Sequence, residues 1–195
     1  GRAEVKSLRL EAAGLQVDLA DVTATTAPPH AVNGRLELAP FSLRPLLEVW
    51  PARVQPELRR MAESALRGGD FLGGRFEGSV KFDPAAPTPL TIARLQGEAR
   101  LAALDVVHAA VPGPVALGRL TATVDYPRAT VELHDIAVPG ARVTSAHAQV
   151  DGLDRAAPAA KLEAKFETDL VAANRAWKFA PDDLATGTLG GELTV

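Results

Sequence analysis

Five serines (Ser7, Ser42, Ser64, Ser79, Ser145) and four histidines (His30, His108, His134, His147) are the first places to look for catalysis or metal binding in this sequence. No serine stands in a Gly-x-Ser-x-Gly elbow, the setting that would present it as a nucleophile. The histidines show neither an i, i+4 pair nor an HExxH neighbourhood, so their spacing does not suggest metal ligation. His134–Asp135 is the nearest approach to a catalytic pair. Adjacent residues of a strand point to opposite faces, so the two cannot easily act together. GGDFLGG, Gly68 to Gly74, lacks the lysine of a phosphate loop and the βαβ setting of a dinucleotide fold. It reads as a helix stop followed by a tight turn. Asp182–Asp183, beside Pro181, read as a solvated turn rather than an acid–base pair. Without cysteine there is no disulfide or thiolate site. The expectation is a non-enzyme with no catalytic residues, no metal and no cofactor.

Composition narrows the remaining classes. Apolar residues make up 47% of 195 positions, but the aromatic share is 5%, with one Tyr and two Trp. Aromatic anchors are the usual hot spots of compact binding sites. An apolar content of Ala, Val and Leu suggests instead a long, smooth, shallow surface. The net charge of −3, with both signs interspersed, gives no basic patch for nucleic acid. No apolar run reaches the roughly 20 residues needed to span a bilayer. The richest stretch, Ala102 to Leu117, is broken by Asp105, His108, Pro112 and Pro114.

Period-2 alternation recurs along the chain, the mark of strands with one buried face. Its clearest members are Leu8 and Leu10, Leu15, Val17 and Leu19, Leu36 and Leu38, and Phe76, Val80 and Phe82. Leu120, Val124 and Tyr126 follow, then Val131 and Leu133, and later Leu162 and Phe166. The phase slips near His134–Asp135 as a bulge requires. Turn signals such as Asn33–Gly34, Pro139–Gly140 and Asp151–Gly152 separate the runs. This is the pattern of an antiparallel meander, not of βαβ units. The alternate positions are heavily charged, so one face is wet and the other greasy.

Three helices interrupt the meander. Leu43–Val49 is stopped by Trp50–Pro51. Pro56–Arg67 carries Leu58, Met61, Ala62, Ala65 and Leu66 as one apolar stripe, with Gly68 as its left-handed cap. Leu170–Trp177 has Asp169 as its N-cap. The expected fold is mainly β, an antiparallel meander curled into an open, groove-like sheet of taco or half-barrel form. The whole of 1–195 forms one β-rich segment, with a helical insertion at about 43–68. Because the sequence opens and closes inside strand patterns, it reads as a section of a longer chain.

The insertion LLEVWPARVQPELRRMAESALRGGDFLGGRFEGSVKF, Leu46 to Phe82, resembles a segment of the AsmA-like superfamily, in particular the large YhdP-type envelope proteins of Gram-negative bacteria. Trp50–Pro51, Pro56, Arg59, Leu66 and Gly69 carry the resemblance, and Met61 stands where an aromatic residue is common. The later NRAWKFAPDDLATGTLGGELTV is similar to that family's closing units. The resemblance implies a periplasmic section of a bridge-like lipid transfer protein, tethered to the inner membrane by an anchor outside this segment. Its partners would be phospholipid or another acyl lipid and the rest of its own longer chain. Its function would be to shield acyl chains between inner and outer membrane. The groove lining would comprise Leu36, Leu38, Phe76, Val80, Phe82, Leu101, Leu120, Val124, Tyr126, Val131, Leu133, Leu162 and Phe166. A non-catalytic structural or assembly module of the envelope, with a closed core, is the alternative reading.

Overall fold

The computed structural model describes residues 1–12, 14–26, 28, 30–50, 56–83, 90–109, 111–155, 158–179 and 188–194. Pro51 of the Trp–Pro pair, the Pro84–Pro89 stretch and Asp182–Asp183 lie outside the described residues. In chain order the strands are β1 (Arg2–Ala12), β2 (Leu15–Thr25), β3 (His30–Leu38), β4 (Phe41–Ser42), β5 (Leu66–Phe82) and β6 (Leu90–Val107). They continue as β7 (Pro114–Asp125), β8 (Arg128–Val138), β9 (Ala141–Asp151), β10 (Ala159–Asp169) and β11 (Thr188–Thr194). The helices are α1 (Leu43–Val49), α2 (Pro56–Ala65) and α3 (Leu170–Trp177). All the strands join one eleven-stranded sheet in the order β1-β2-β3-β5-β6-β7-β8-β9-β10-β11, with short β4 paired to β5. Every pairing is antiparallel. The protein is therefore mainly β, an open meander with a short helical insertion. It is groove-like in having one half-shielded apolar face, while the sheet itself stays open rather than rolled.

Alternation explains the two faces. The register sets Leu36 opposite Phe76 and Val32 opposite Val80, while Arg35 faces Glu77 and Glu37 faces Arg75. Directly opposed residues share a face. Apolar and charged residues thus sort onto opposite sides, strand after strand.

The alternation breaks in several places without losing the sorting. The ladders skip where Ala103 meets Gly118, where Gly118 meets Asp135, and where Asp135 meets Thr144. One extra residue in each of four neighbouring strands makes an aligned line of bulges, with Ala103 at φ 50° and Asp135 at φ 57°. A bulge inserts a residue and bends its strand, so the apolar side chains on both sides stay in phase. Leu101 and Leu104, or Leu133 and Ile136, therefore share one face despite odd spacing. The phase slip expected near His134–Asp135 is this line. A second break lies in β2 between Ala20 and Thr23, where Asp21 takes φ 51°.

The Gly-rich stretch corrects one expectation. Gly68 to Gly74 is not a helix stop and tight turn; it is part of β5, and α2 ends at Ala65 rather than Arg67. The reason is pairing: Leu66 lies opposite Val106, Gly68 opposite Asp105 and Asp70 opposite Ala102. Ladder formation along β6 outweighs the helical propensity of Leu66 and Arg67. The glycines at 69 and 73 (φ 138° and 130°) absorb the register shifts there.

The helices gather at one end of the sheet, where β3, β6, β8 and β10 end and β5 begins. α1 and α3 keep their expected bounds. The Asp169 carboxylate accepts from the N–H groups of Val171 and Ala172 at 2.8 and 3.0 Å, as an N-cap should. Lys178 closes α3 in the left-handed conformation, donating its N–H to Asn174 O at 2.8 Å. The Trp177 Nε1–H donates to Pro139 O at 2.8 Å. Gly140 turns β8 into β9 with φ 80°, and a Cβ there would come within 2.5 Å of the Ala173 backbone. Only glycine satisfies both demands.

Candidate functional site

The pairings define rows of side chains that run across the strands. One row on the apolar face passes Leu8, Leu19, Leu36, Phe76, Gly97, Val124, Ala129, Val150 and Ala160. The next passes Leu10, Val17, Leu38, Gly74, Ala99, Ala122, Val131, Ala148 and Leu162. Each crosses nine strands without a polar side chain. At about 4.8 Å per strand each row extends roughly 38 Å. A third, from Phe71 through Leu101, Leu120, Leu133 and Ala146 to Ala164, lies nearer the helices.

The structure brings twelve of the thirteen expected lining residues onto this one face; the thirteenth, Tyr126, lies in a turn. Leu36, Phe76 and Val124 fall in the first row; Leu38, Val131 and Leu162 fall in the second; and Leu101, Leu120 and Leu133 fall in the third. Val80 and Phe82 lie on β5 at the end remote from the helices, opposite Val32 and His30. The Phe82 ring stacks on His30. Phe166 pairs with Val143 on β9 and Gly191 on β11. Tyr126 is half-buried in the turn after β7, its backbone N–H bonded to Leu95 O at 2.8 Å.

This face is only partly filled by the chain itself. Among the described residues the buried apolar side chains are Leu43, Phe71, Leu104, Ile136, Ala146 and Ala173. Leu43 of α1, Phe71 of β5 and Leu104 of β6 form one cluster, and Leu46, Leu38, Leu101 and Leu120 pack against it. Three expected lining residues, Leu38, Leu101 and Leu120, thus pack around a cluster that Leu43 of α1 completes. Away from the helices the face lies open: Leu8 and Leu10 are 45% and 49% exposed, and Phe82 is 42% exposed. Val32, Ile92 and Leu162 are exposed too.

Two of the aromatic members, Phe76 and Phe166, lie down on the sheet. The ring of Phe76 occupies the place that a side chain at Gly97 would take. Phe166 does the same at Gly191, where an added Cβ would sit 3.1 Å from the ring Cζ. The rings fill gaps left by glycine on the neighbouring strand. The floor therefore stays low.

The opposite face is a lattice of charge. Arg9 and Asp18, Glu37 and Arg75, Arg128 and Asp151, and Lys165 and Glu192 are ion pairs between directly opposed residues. Arg9 donates to Asp18 at 2.6 Å, and Gln16 adds a second bond at 3.0 Å. Those bonds, Arg9's first, hold the Asp18 carboxyl below the usual carboxylate range. Bonds from Arg128 and then Gln149 do the same for Asp151, and Lys161 does so for Glu163. Clefts of about 780 Å³ beside Glu37, Arg75, Glu98 and Arg100, and of about 320 Å³ beside Glu132, His134, His147 and Glu163, lie on this charged side.

His134 and Asp135 do not form a working pair. His134 is exposed on the charged face opposite Arg119 and Ser145, while Asp135 is the bulged residue and accepts from Arg142 at 3.0 Å. Among the described residues no group of three or more His, Asp or Glu is placed to hold a metal ion. No described helix is long and apolar enough to cross a membrane.

Sequence reasoning left out of the lining Leu8, Leu10, Val17, Leu19, Ile92 and the small residues Ala99, Ala122 and Ala148. Their alternation was visible; their alignment into rows depends on register. Phe71 was hidden inside the Gly-rich stretch read as a turn.

No protein-family model matches this chain, and neither a curated protein nor a solved structure matches it.

Proposed function

We propose that the protein is a section of a periplasmic lipid-transfer bridge, holding phospholipid acyl chains against its apolar face between inner and outer membrane. The single observation that carries this reading is the pair of uninterrupted apolar rows crossing nine strands, exposed at Leu8, Leu10 and Leu162 and only half-buried between. Soluble proteins rarely leave so large a contiguous apolar surface bare without something to bury it. The rows' length of roughly 38 Å exceeds the thickness of a bilayer's hydrocarbon core, about 30 Å. An acyl chain from one leaflet would therefore fit along a row with space for another.

Chemistry favours hydrocarbon over a polar ligand. Each methylene taken out of water gains about 0.8 kcal/mol, so burial alone can hold an acyl chain. The rows offer no hydrogen-bonding side chain that would fix a ligand in one place. Leu, Val, Ala and flattened Phe give many equivalent positions, which favours sliding over tight capture. The charged lattice opposite keeps the other face in water.

The AsmA-like resemblance of the Leu46–Phe82 segment points the same way and supplies the envelope setting. The test is extraction of the protein purified from a bacterial envelope without detergent, followed by lipid phosphate analysis and mass spectrometry. Phospholipid present in stoichiometric amount supports the reading. A lipid-free protein that also takes none from vesicles favours a structural module instead.

A further inference from the structure

We infer that α1 is a displaceable cover over the apolar rows, so that an acyl chain and α1 compete for the same patch; this rests on the proposed lipid function. Leu43 of α1, 8% exposed, clusters with Phe71 of β5 and Leu104 of β6, and Leu38, Leu46, Leu101 and Leu120 pack around that cluster. Phe71 belongs to the third row and Leu38 to the second, which runs on through half-buried members to the exposed Leu10 and Leu162. A chain occupying either row meets the cluster that Leu43 of α1 completes.

The helix is held by that packing more than by its own structure. It has seven residues, too few for an isolated helix to persist in water. Its N-cap Ser42 makes no capping bond; the Ser42 Oγ donates instead to Asp70 on β5 at 3.1 Å. Neither an acidic side chain in the first turn nor a basic one in the last supports the helix dipole. α3 differs on each count, with a two-bond Asp169 cap, Arg175 in its last turn and the Trp177 tether. Of the two helices, α1 is the one whose seat a hydrocarbon could replace in kind. Apart from the bond that the C-cap Trp50 O accepts from Arg59 Nη1 of α2 at 2.6 Å, apolar contact is exchanged for apolar contact, while α3 would lose its two cap bonds and the Trp177 bond, which a lipid cannot restore.

The chain has no cysteine, so single introduced thiols report exposure cleanly. Leu43→Cys and, as a control under α3, Ala173→Cys would be labelled with a maleimide before and after incubation with phosphatidylglycerol–phosphatidylethanolamine vesicles. Bound lipid phosphate is counted in the same samples. The expected result is labelling at least tenfold faster at position 43 with lipid bound, and unchanged at 173. Lipid bound with no change at 43, or equal change at both sites, overturns the inference and leaves the lipid function standing. No lipid bound overturns both. Because Leu43→Cys could itself loosen α1, a second variant joins Ser42→Cys to Asp70→Cys, which are opposed partners within disulfide reach. Oxidising that pair should slow lipid uptake at least tenfold, reversibly with reductant. Equal uptake in the two states contradicts a moving cover.

Discussion

The ring of Phe76 lies over Gly97 on the neighbouring strand, filling the space where a side chain at that position would stand. This contact sets the height of the apolar floor where β5 meets β6. Alanine at 97 would press on the ring and also come within 2.5 Å of the Arg75 carbonyl oxygen. Gly97→Ala should therefore cost about 1–3 kcal/mol, the usual penalty for overpacking. Urea unfolding measures it directly. A loss indistinguishable from zero would mean that the ring does not lie where described.

Val124 and Thr123 are neighbours on β7 with opposite orientations. Val124 continues the first apolar row, while Thr123 lies opposite Glu98 on the charged side. A lysine at 124 puts an ammonium into the row, and one at 123 gains a carboxylate neighbour. Val124→Lys should reduce bound phospholipid at least tenfold, whereas Thr123→Lys should leave it within twofold. Both variants should unfold near the wild-type temperature, since neither site is fully buried. Equal lipid loss in the two would remove the distinction between the faces.

The charged face makes a prediction about acid. Asp18, Asp151 and Glu163 are held below their ordinary values by Arg9, Arg128 and Lys161 respectively. A depressed carboxylate stabilises the fold fully above its unfolded pKa, about 4, and that contribution is lost as pH falls through the lower folded value. The melting temperature should accordingly fall as pH drops below about 4. These pairs are exposed, so the effect is small and weakens in high salt. Asp18→Asn with Asp151→Asn should flatten the acid limb relative to wild type. An unchanged pH profile in the double variant would show that the pairs contribute nothing.

α3 depends on its first turn. Asp169→Ala removes acceptors for two backbone N–H groups and should cost about 1 kcal/mol. Amide exchange at Val171 and Ala172 should quicken, and Asp169→Asn should recover most of the loss. Unchanged exchange in the alanine variant would show that the cap is not what secures the helix.

Much of this was legible before any coordinates. Alternation identified the strands, and the residues at period 2 identified the apolar face, because a strand's geometry forces that sorting. Asp169, Trp50 and the apolar leucines marked two helices to the residue. The Gly-rich stretch misled because glycine after a helix is a common cap, and nothing local announces that β6 will pair with it. Pairing is a long-range fact. So is the alignment of Leu10, Val17, Leu38, Gly74, Ala99 and Ala122 into one row, which no single strand encodes. The cluster that Leu43 of α1 makes with Phe71 and Leu104 was equally out of reach, since a short apolar helix does not name its seat.

The most direct test of an acyl chain on the apolar rows places a photoreactive benzophenone side chain at consecutive positions of one strand. Val131 and Glu132 on β8 point to opposite faces. After irradiation in a bacterial envelope, the account predicts phospholipid adducts at 131 and, on β10, at 162, with none at 132 or 163. Adducts of equal yield on both faces, or none at 131 and 162 despite intact protein, would contradict it.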